Sequence, residues 1–177
     1  MFQKADYQKK PFDQCYWIIP GKLLAGRYPT HTTDQLENIF KAGVSCFIDL
    51  TQNWELPPYE EQLIQLSSEK AKRLNFPIKD FTAPPKGLTK EILDTIDAEI
   101  ADGNGVYVHC WGGRGRTGTI IGCWIKRHFK DSKIPLEDGS FLTFTDLWLS
   151  TPKGQKGYES PENNEQREQV RQWEHGE

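Results

Sequence analysis

At 177 residues the chain is long enough to bury one sizeable core but leaves little room for a separate targeting or regulatory domain. A net charge of −3 and a pI near 5.9 argue against a protein that coats nucleic acid, and no stretch is apolar enough to span a membrane. Met1 to Asp6 lacks the apolar run of a secretion signal, so the expectation is one cytoplasmic, monomeric domain over residues 1–177, with 1–14 as a flexible arm.

In chain order, Tyr16-Trp17-Ile18-Ile19 and Leu23-Leu24-Ala25 read as early strands separated by the turn pair Pro20-Gly21. Thr32 and Gln35 form a capping box for a helix whose Leu36, Ile39 and Phe40 share one face and which Gly43 stops. Val44 to Leu50 is a central strand, Pro57 to Lys70 a helix with Leu63, Ile64 and Leu66, and Leu74 to Ile78 a further strand. Thr89 caps the next helix, which buries Ile92, Leu93, Ile96 and Ile100 before Gly103-Asn104-Gly105 turns the chain into the strand Gly105 to Cys110. Ile120, Ile121, Trp124, Ile125 and Phe129 then recur at helical spacing, and only helices follow: Phe141 to Leu149 and, after a polar loop at Thr151 to Glu159, Pro161 to Trp173 capped by Ser160. Alternating strands and helices imply an α/β domain with a central, mostly parallel, twisted sheet covered by helices on both faces, and ligands bind such sheets outside the C-terminal ends of the strands.

Cys110 falls at such an end, inside His109-Cys110-Trp111-Gly112-Gly113-Arg114-Gly115-Arg116-Thr117-Gly118. Small residues let consecutive backbone N–H groups turn inward as an anion nest, and the helix that starts near Arg116 aims its positive end at the same place. Both favour a thiolate nucleophile over a thiol. Arg116 supplies a planar fork for phosphate oxygens, and Thr117 is placed to donate to the sulfur. Trp111, Gly112, Gly113, Arg114 and Gly115, with Arg116, are the substrate-binding residues, whether Trp111 faces the mouth or packs beneath it, and His109 holds the loop by ring hydrogen bonds. The loop contains no acid to protonate a leaving oxygen, so the acid comes from elsewhere. Asp80, where a strand runs into a proline-bounded loop, is preferred over Asp94, Asp97, Glu99 and Asp102 on a helix and over Asp49 at a strand end. Lys79 and Lys86 are expected to join Arg114 and Arg116 around the pocket.

Rival readings of the loop fail on particular residues. Gly113 to Gly118 satisfies G-x-G-x-x-G, but His109 to Gly112 intervene after the strand, and the acidic residue that should follow could only be Asp138, behind the poor strand Ile134-Pro135-Leu136-Glu137. The nucleotide P-loop spacing lacks its lysine, since Thr119-Ile120 stands there. Cys110, Cys123 and His128 lack the paired cysteines of a zinc finger, so no metal or cofactor is expected. Cys15 is uninformative, while Cys46 and Cys123 read as small buried hydrophobes.

With nucleophile, cradle, arginine and acid in place, the chain resembles the cysteine-dependent protein-tyrosine and dual-specificity phosphatases, whose signature HCX5R[ST] runs from His109 to Thr117. The resemblance extends to the Asp80 loop, to Phe47-Ile48-Asp49-Leu50-Thr51 and to Ser160-Pro161-Glu162-Asn163-Asn164-Glu165-Gln166, although Asn163 stands where relatives often have threonine. It implies that Cys110 attacks phosphorus, that Asp80 acts as acid and then base, and that Gln166 positions the hydrolytic water. It also implies a phosphorylated protein as partner, bearing phosphotyrosine or phosphoserine/threonine. Phosphoinositide or RNA-end phosphate remain alternatives, as does binding of a phosphorylated partner without turnover. Leu50 and Thr51 occupy the positions where some relatives carry a second cysteine, so no disulfide to Cys110 is expected.

Overall fold

The computed structural model describes residues 1–29 and 33–177. Five strands form the main sheet: β1 (Cys15–Ile19), β2 (Leu23–Arg27), β3 (Val44–Asp49), β4 (Lys72–Asn75) and β5 (Gly105–Cys110), in the order β1-β2-β5-β3-β4. Only β1 runs antiparallel to its neighbour, because Pro20-Gly21 returns the chain directly into β2; the other pairings are parallel. All six residues of β5 are buried. Since alternate strand residues point to opposite faces, helices must cover the sheet on both sides.

Those helices are α1 (Thr33–Lys41), α2 (Glu60–Ser67), α3 (Lys86–Ala101), α4 (Arg116–His128), α5 (Phe144–Leu149), α6 (Pro152–Gln155) and α7 (Asn164–Gln172). Helix α4 buries eleven of its residues, Arg116 and Thr117 among them, so the end that faces the site is anchored in the core. The expected Thr32–Gln35 capping box lies outside the described residues.

Several expectations are corrected. Strand β4 begins at Lys72 and ends at Asn75, although Phe76 N and Ile78 N still donate to Asp49 O and Leu50 O (2.9 and 3.0 Å), which prolongs the extended pattern read as Leu74 to Ile78. Helix α2 is shorter than Pro57 to Lys70, because Ser68 and Glu69 take positive φ and end it. Thr89 is no cap: it sits inside α3, its hydroxyl donating to Pro85 O at 3.2 Å, and Pro85 is the N-cap. Helices alone do not follow α4, since β6 (Ile134–Pro135) and β7 (Phe141–Leu142) pair as a hairpin around Asp138-Gly139, with Gly139 at positive φ. The polar loop contains α6, capped by Thr151, and α7 is capped by Asn163 rather than Ser160. The N-terminal segment packs on the domain: Phe2 bridges to Leu136, Lys4–Gln8 form a 3₁₀ turn with Tyr7 buried, and Trp17 Nε1 donates to Lys9 O.

Candidate active site

The loop between β5 and α4 is held from below by the sheet. Trp111 O accepts from Tyr28 N at 2.9 Å, and Arg27, the last residue of β2, is the register partner of Cys110. Gly113 sits at φ +70°, and a Cβ there would lie 2.6 Å from Gly26 O and Arg27 N, so only glycine lets the loop lie this close to β2. Cys110 is a free thiol, 3 % exposed, at the C-terminal end of the central strand.

Arg116 is the most constrained side chain of the site. Its guanidinium is 1 % exposed, and its terminal nitrogens reach Glu55 Oε1 at 2.7 Å, Glu55 Oε2 at 2.9 Å, Ile78 O at 3.0 Å and Asp80 Oδ1 at 3.1 Å. Burial opposes the charge, but the Glu55 bonds and the negative charges at Cys110 and Asp80 outweigh it and hold the pKa above its ordinary value. The remaining nitrogen, Nε, is buried and has no hydrogen-bond partner among the described residues. A buried unpaired donor is costly, so an acceptor arriving there is favoured.

The Asp80 loop is docked on the start of α7 by side-chain amides. Asn163 Nδ2 donates to Phe81 O (2.8 Å), Gln166 Nε2 to Thr82 O (3.2 Å) and Gln169 Nε2 to Pro84 O (2.8 Å). Gln166 is fully buried and its oxygen accepts from Glu162 N at 3.1 Å, so both ends of its amide are already engaged. Glu162 lies against the loop, since a Cβ on Gly115 would overlap its carboxylate. Burial and the neighbouring Asp80 charge raise its pKa.

His109 is fully buried beneath the loop, with Nε2 2.5 Å from Tyr59 Oη and Nδ1 3.3 Å from Cys110 O, and burial holds its pKa below the ordinary value despite Asp49 at 3.9 Å. Asp49 is a structural anchor: Oδ1 accepts from Thr51 N and Oγ1 (2.8 and 2.7 Å), and Oδ2 faces Arg73 at 2.9 Å.

The structure thus brings Cys110, Arg116 and Asp80 together with His109 and the glycines. Asp94 and Asp97 instead pair with Arg127, both at 2.9 Å, and Glu99 pairs with Lys72. Trp111 is 51 % exposed and faces outward, whereas Arg114 is tied back to Glu159 O and lies over the Tyr158 ring. Thr117 Oγ1 is buried with no hydrogen bond among the described residues, so the expected bond to the Cys110 sulfur is not made. Lys86 turns away to Glu177, and Lys79 is exposed on the acid loop. The cations that border the cysteine loop are Arg27 and Lys153, the latter donating to Gly112 O at 3.3 Å. Neither they nor Glu55 were legible as site residues, because each reaches the loop from a distant segment with no motif around it.

A cysteine and a buried arginine in one glycine loop beyond a parallel strand, faced by an aspartate, define the protein-tyrosine and dual-specificity phosphatase class. Within it, the chain belongs to the family described as PTP-SAK, Swiss Army Knife protein, DSP-PTPase phosphatase domain, whose model matches residues 13–149. The dual specificity protein phosphatase CDC14B of Mus musculus is 31 % identical over 137 residues, 70 % of this chain and 26 % of that protein. Protein 067L of Invertebrate iridescent virus 3, which carries a provisional tyrosine phosphatase name, is 30 % identical over 117 residues, 64 % of this chain and 46 % of its own. The crystal structure of Tk-PTP in its active form superposes with a TM-score of 0.62 at 25 % identity, covering 86 % of this chain and 91 % of that one. The chain spans less than half the length of these curated relatives.

Proposed function

We propose that the chain is a phosphoric monoester hydrolase that removes phosphate from phosphotyrosine, and from phosphoserine or phosphothreonine, in proteins. The observation that carries the reading is Arg116 Nε, a buried donor without a partner among the described residues, in the same loop as Cys110. A phosphoryl oxygen would satisfy that donor, and the loop N–H groups and the start of α4 would hold the other oxygens.

The Cys110 thiolate attacks phosphorus, the bond to the leaving oxygen breaks, and Asp80, which enters this step as the carboxylic acid, delivers its proton to that oxygen. This leaves a cysteinyl-phosphate and an Asp80 carboxylate. Water then attacks phosphorus and gives its proton to Asp80, and the S–P bond breaks to return the thiolate and release inorganic phosphate. Arg116 and the helix dipole supply the positive charge, so the route needs no metal. A nucleophile that must stay a free thiol suits a reducing cytoplasm, and the reading is of a monomer.

Hydrolysis of p-nitrophenyl phosphate by the reduced protein in the presence of a chelator tests the proposal. Turnover that disappears in Cys110→Ser is expected. A folded, reduced protein that binds phosphate without hydrolysing it would instead be a phosphate-recognising module.

A further inference from the structure

A groove of about 640 Å³ borders the cysteine loop at Trp111 and Gly112. Its cations are Arg27, Lys153 and Lys156, set against the single carboxylate of Asp13. Arg27 stands beside Cys110 because the two are register partners at the ends of β2 and β5. Lys153 is fixed by its ammonium on Gly112 O (3.3 Å) and by its own N–H, which donates to Gln14 Oε1 (3.2 Å). Lys156 caps the same short helix, α6.

These charges are unspent. Among the described residues, none of the three cations pairs with a carboxylate within 4.0 Å, and Arg27 instead lies over the Phe12 ring at 5.7 Å. Burial and repulsion from Arg27 and Arg114 lower the Lys153 pKa, against the attraction of Cys110 and Glu162, so an added anion would relieve the cluster. The walls are amphiphilic as well as basic. Trp111 and Tyr158 are each about half exposed, at 51 and 52 %, and Gln14 retains a buried amide nitrogen without a hydrogen-bond partner among the described residues.

We propose that this groove is a specificity subsite for an anionic side chain that flanks the phosphoresidue of a peptide substrate. The inference rests on the phosphatase reading for the chemistry at Cys110, but concerns a surface that takes no part in that chemistry. An open groove with aromatic faces and amide walls suits an extended peptide, whose apolar side chains lie on Trp111 and Tyr158 while its acidic group meets Lys153, Lys156 and Arg27.

The test compares phosphotyrosyl peptides that carry alanine at every flanking position with versions bearing one glutamate, moved stepwise along the chain. In the wild type, glutamate at one or two positions raises kcat/KM about tenfold, or 1.4 kcal/mol, through KM, and the gain shrinks with added salt. Lys156→Glu collapses or reverses that ratio, and because the ratio is taken within each variant, any general loss of activity cancels. Binding of the same peptides to Cys110→Ser gives the ratio without turnover, so a failure of the hydrolytic reading does not obscure the subsite. Equal values for all peptides in both assays, or a ratio unchanged in Lys156→Glu, would overturn the proposal. So would soluble inositol bisphosphate displacing the glutamate peptide from Cys110→Ser at lower concentration than the alanine peptide does.

Discussion

Glu55→Gln isolates the one strong contact that no motif announced. Glu55 receives both terminal nitrogens of Arg116, at 2.7 and 2.9 Å, and is itself fixed by Gln52 N at 2.8 Å. Glutamine keeps one acceptor oxygen and turns an amide donor toward the guanidinium, so one charge-assisted bond is lost and one repulsive contact made. Arg116 is not abandoned, because Asp80 at 3.1 Å and Ile78 O at 3.0 Å remain. The loss is therefore smaller than the roughly 3–5 kcal/mol expected for an orphaned buried ion and nearer the ~1.5–3 kcal/mol of a hydrogen bond to a charged group. If about half of that is also felt in the transition state, kcat/KM falls about 4- to 13-fold. Denaturant unfolding, read as a shift in midpoint at constant slope, measures the first quantity, and p-nitrophenyl phosphate kinetics the second. Unchanged stability together with unchanged kcat/KM would refute the claim that Glu55 holds the phosphate-binding arginine in place.

Two further outcomes follow from the same geometry. Asp80→Asn slows hydrolysis of alkyl and other poorly leaving phosphates by about 10²- to 10⁴-fold but affects a good leaving group such as p-nitrophenolate far less, and equal rates across a leaving-group series would show that the acid is another residue. Stability depends on pH through His109 and Asp49. Burial keeps native His109 neutral, whereas the unfolded chain takes up a proton as pH falls through about 6.5, so stability is complete above that pH and is lost below it, by up to ~1.4 kcal/mol per unit. Burial opposes the Asp49 charge, but a proton on His109 at low pH, the Thr51 bonds and Arg73 together hold the carboxyl below its ordinary range, so its contribution is lost only as pH falls further, through that depressed value. Unfolding midpoints in the wild type and in His109→Gln between pH 8 and pH 5 check this: the variant should show a flatter dependence, and parallel curves would contradict it.

The central strands and the placement of Cys110 at a strand end were legible because β3 and β5 carry mostly apolar, buried runs that end at Asp49 and Cys110, whereas the order β1-β2-β5-β3-β4 was not, since nothing local in a buried parallel strand names its neighbour. The short hairpin of β6 and β7 was not, since two-residue strands carry no periodicity and only Asp138-Gly139 marked the turn. In the site, the loop and Asp80 could be read locally. Glu55, Lys153 and the docking role of Asn163, Gln166 and Gln169 could not, because their meaning lies in contacts with Arg116, Gly112 and the Asp80 loop that span 41 to 85 positions, although the resemblance had named Gln166 for another role. Lys86 shows the converse error: it was expected around the pocket, yet it reaches the Glu177 carboxylate instead.

Covalent catalysis by Cys110 is tested most directly by rapid acid quench of the protein during turnover of p-nitrophenyl phosphate, followed by mass analysis of its peptides. A single phosphoryl group on the Cys110 peptide, enriched when Asp80→Asn slows the second step and absent from Cys110→Ser, is the predicted result. Sustained turnover by Cys110→Ser, or phosphate trapped on a different residue, would contradict it.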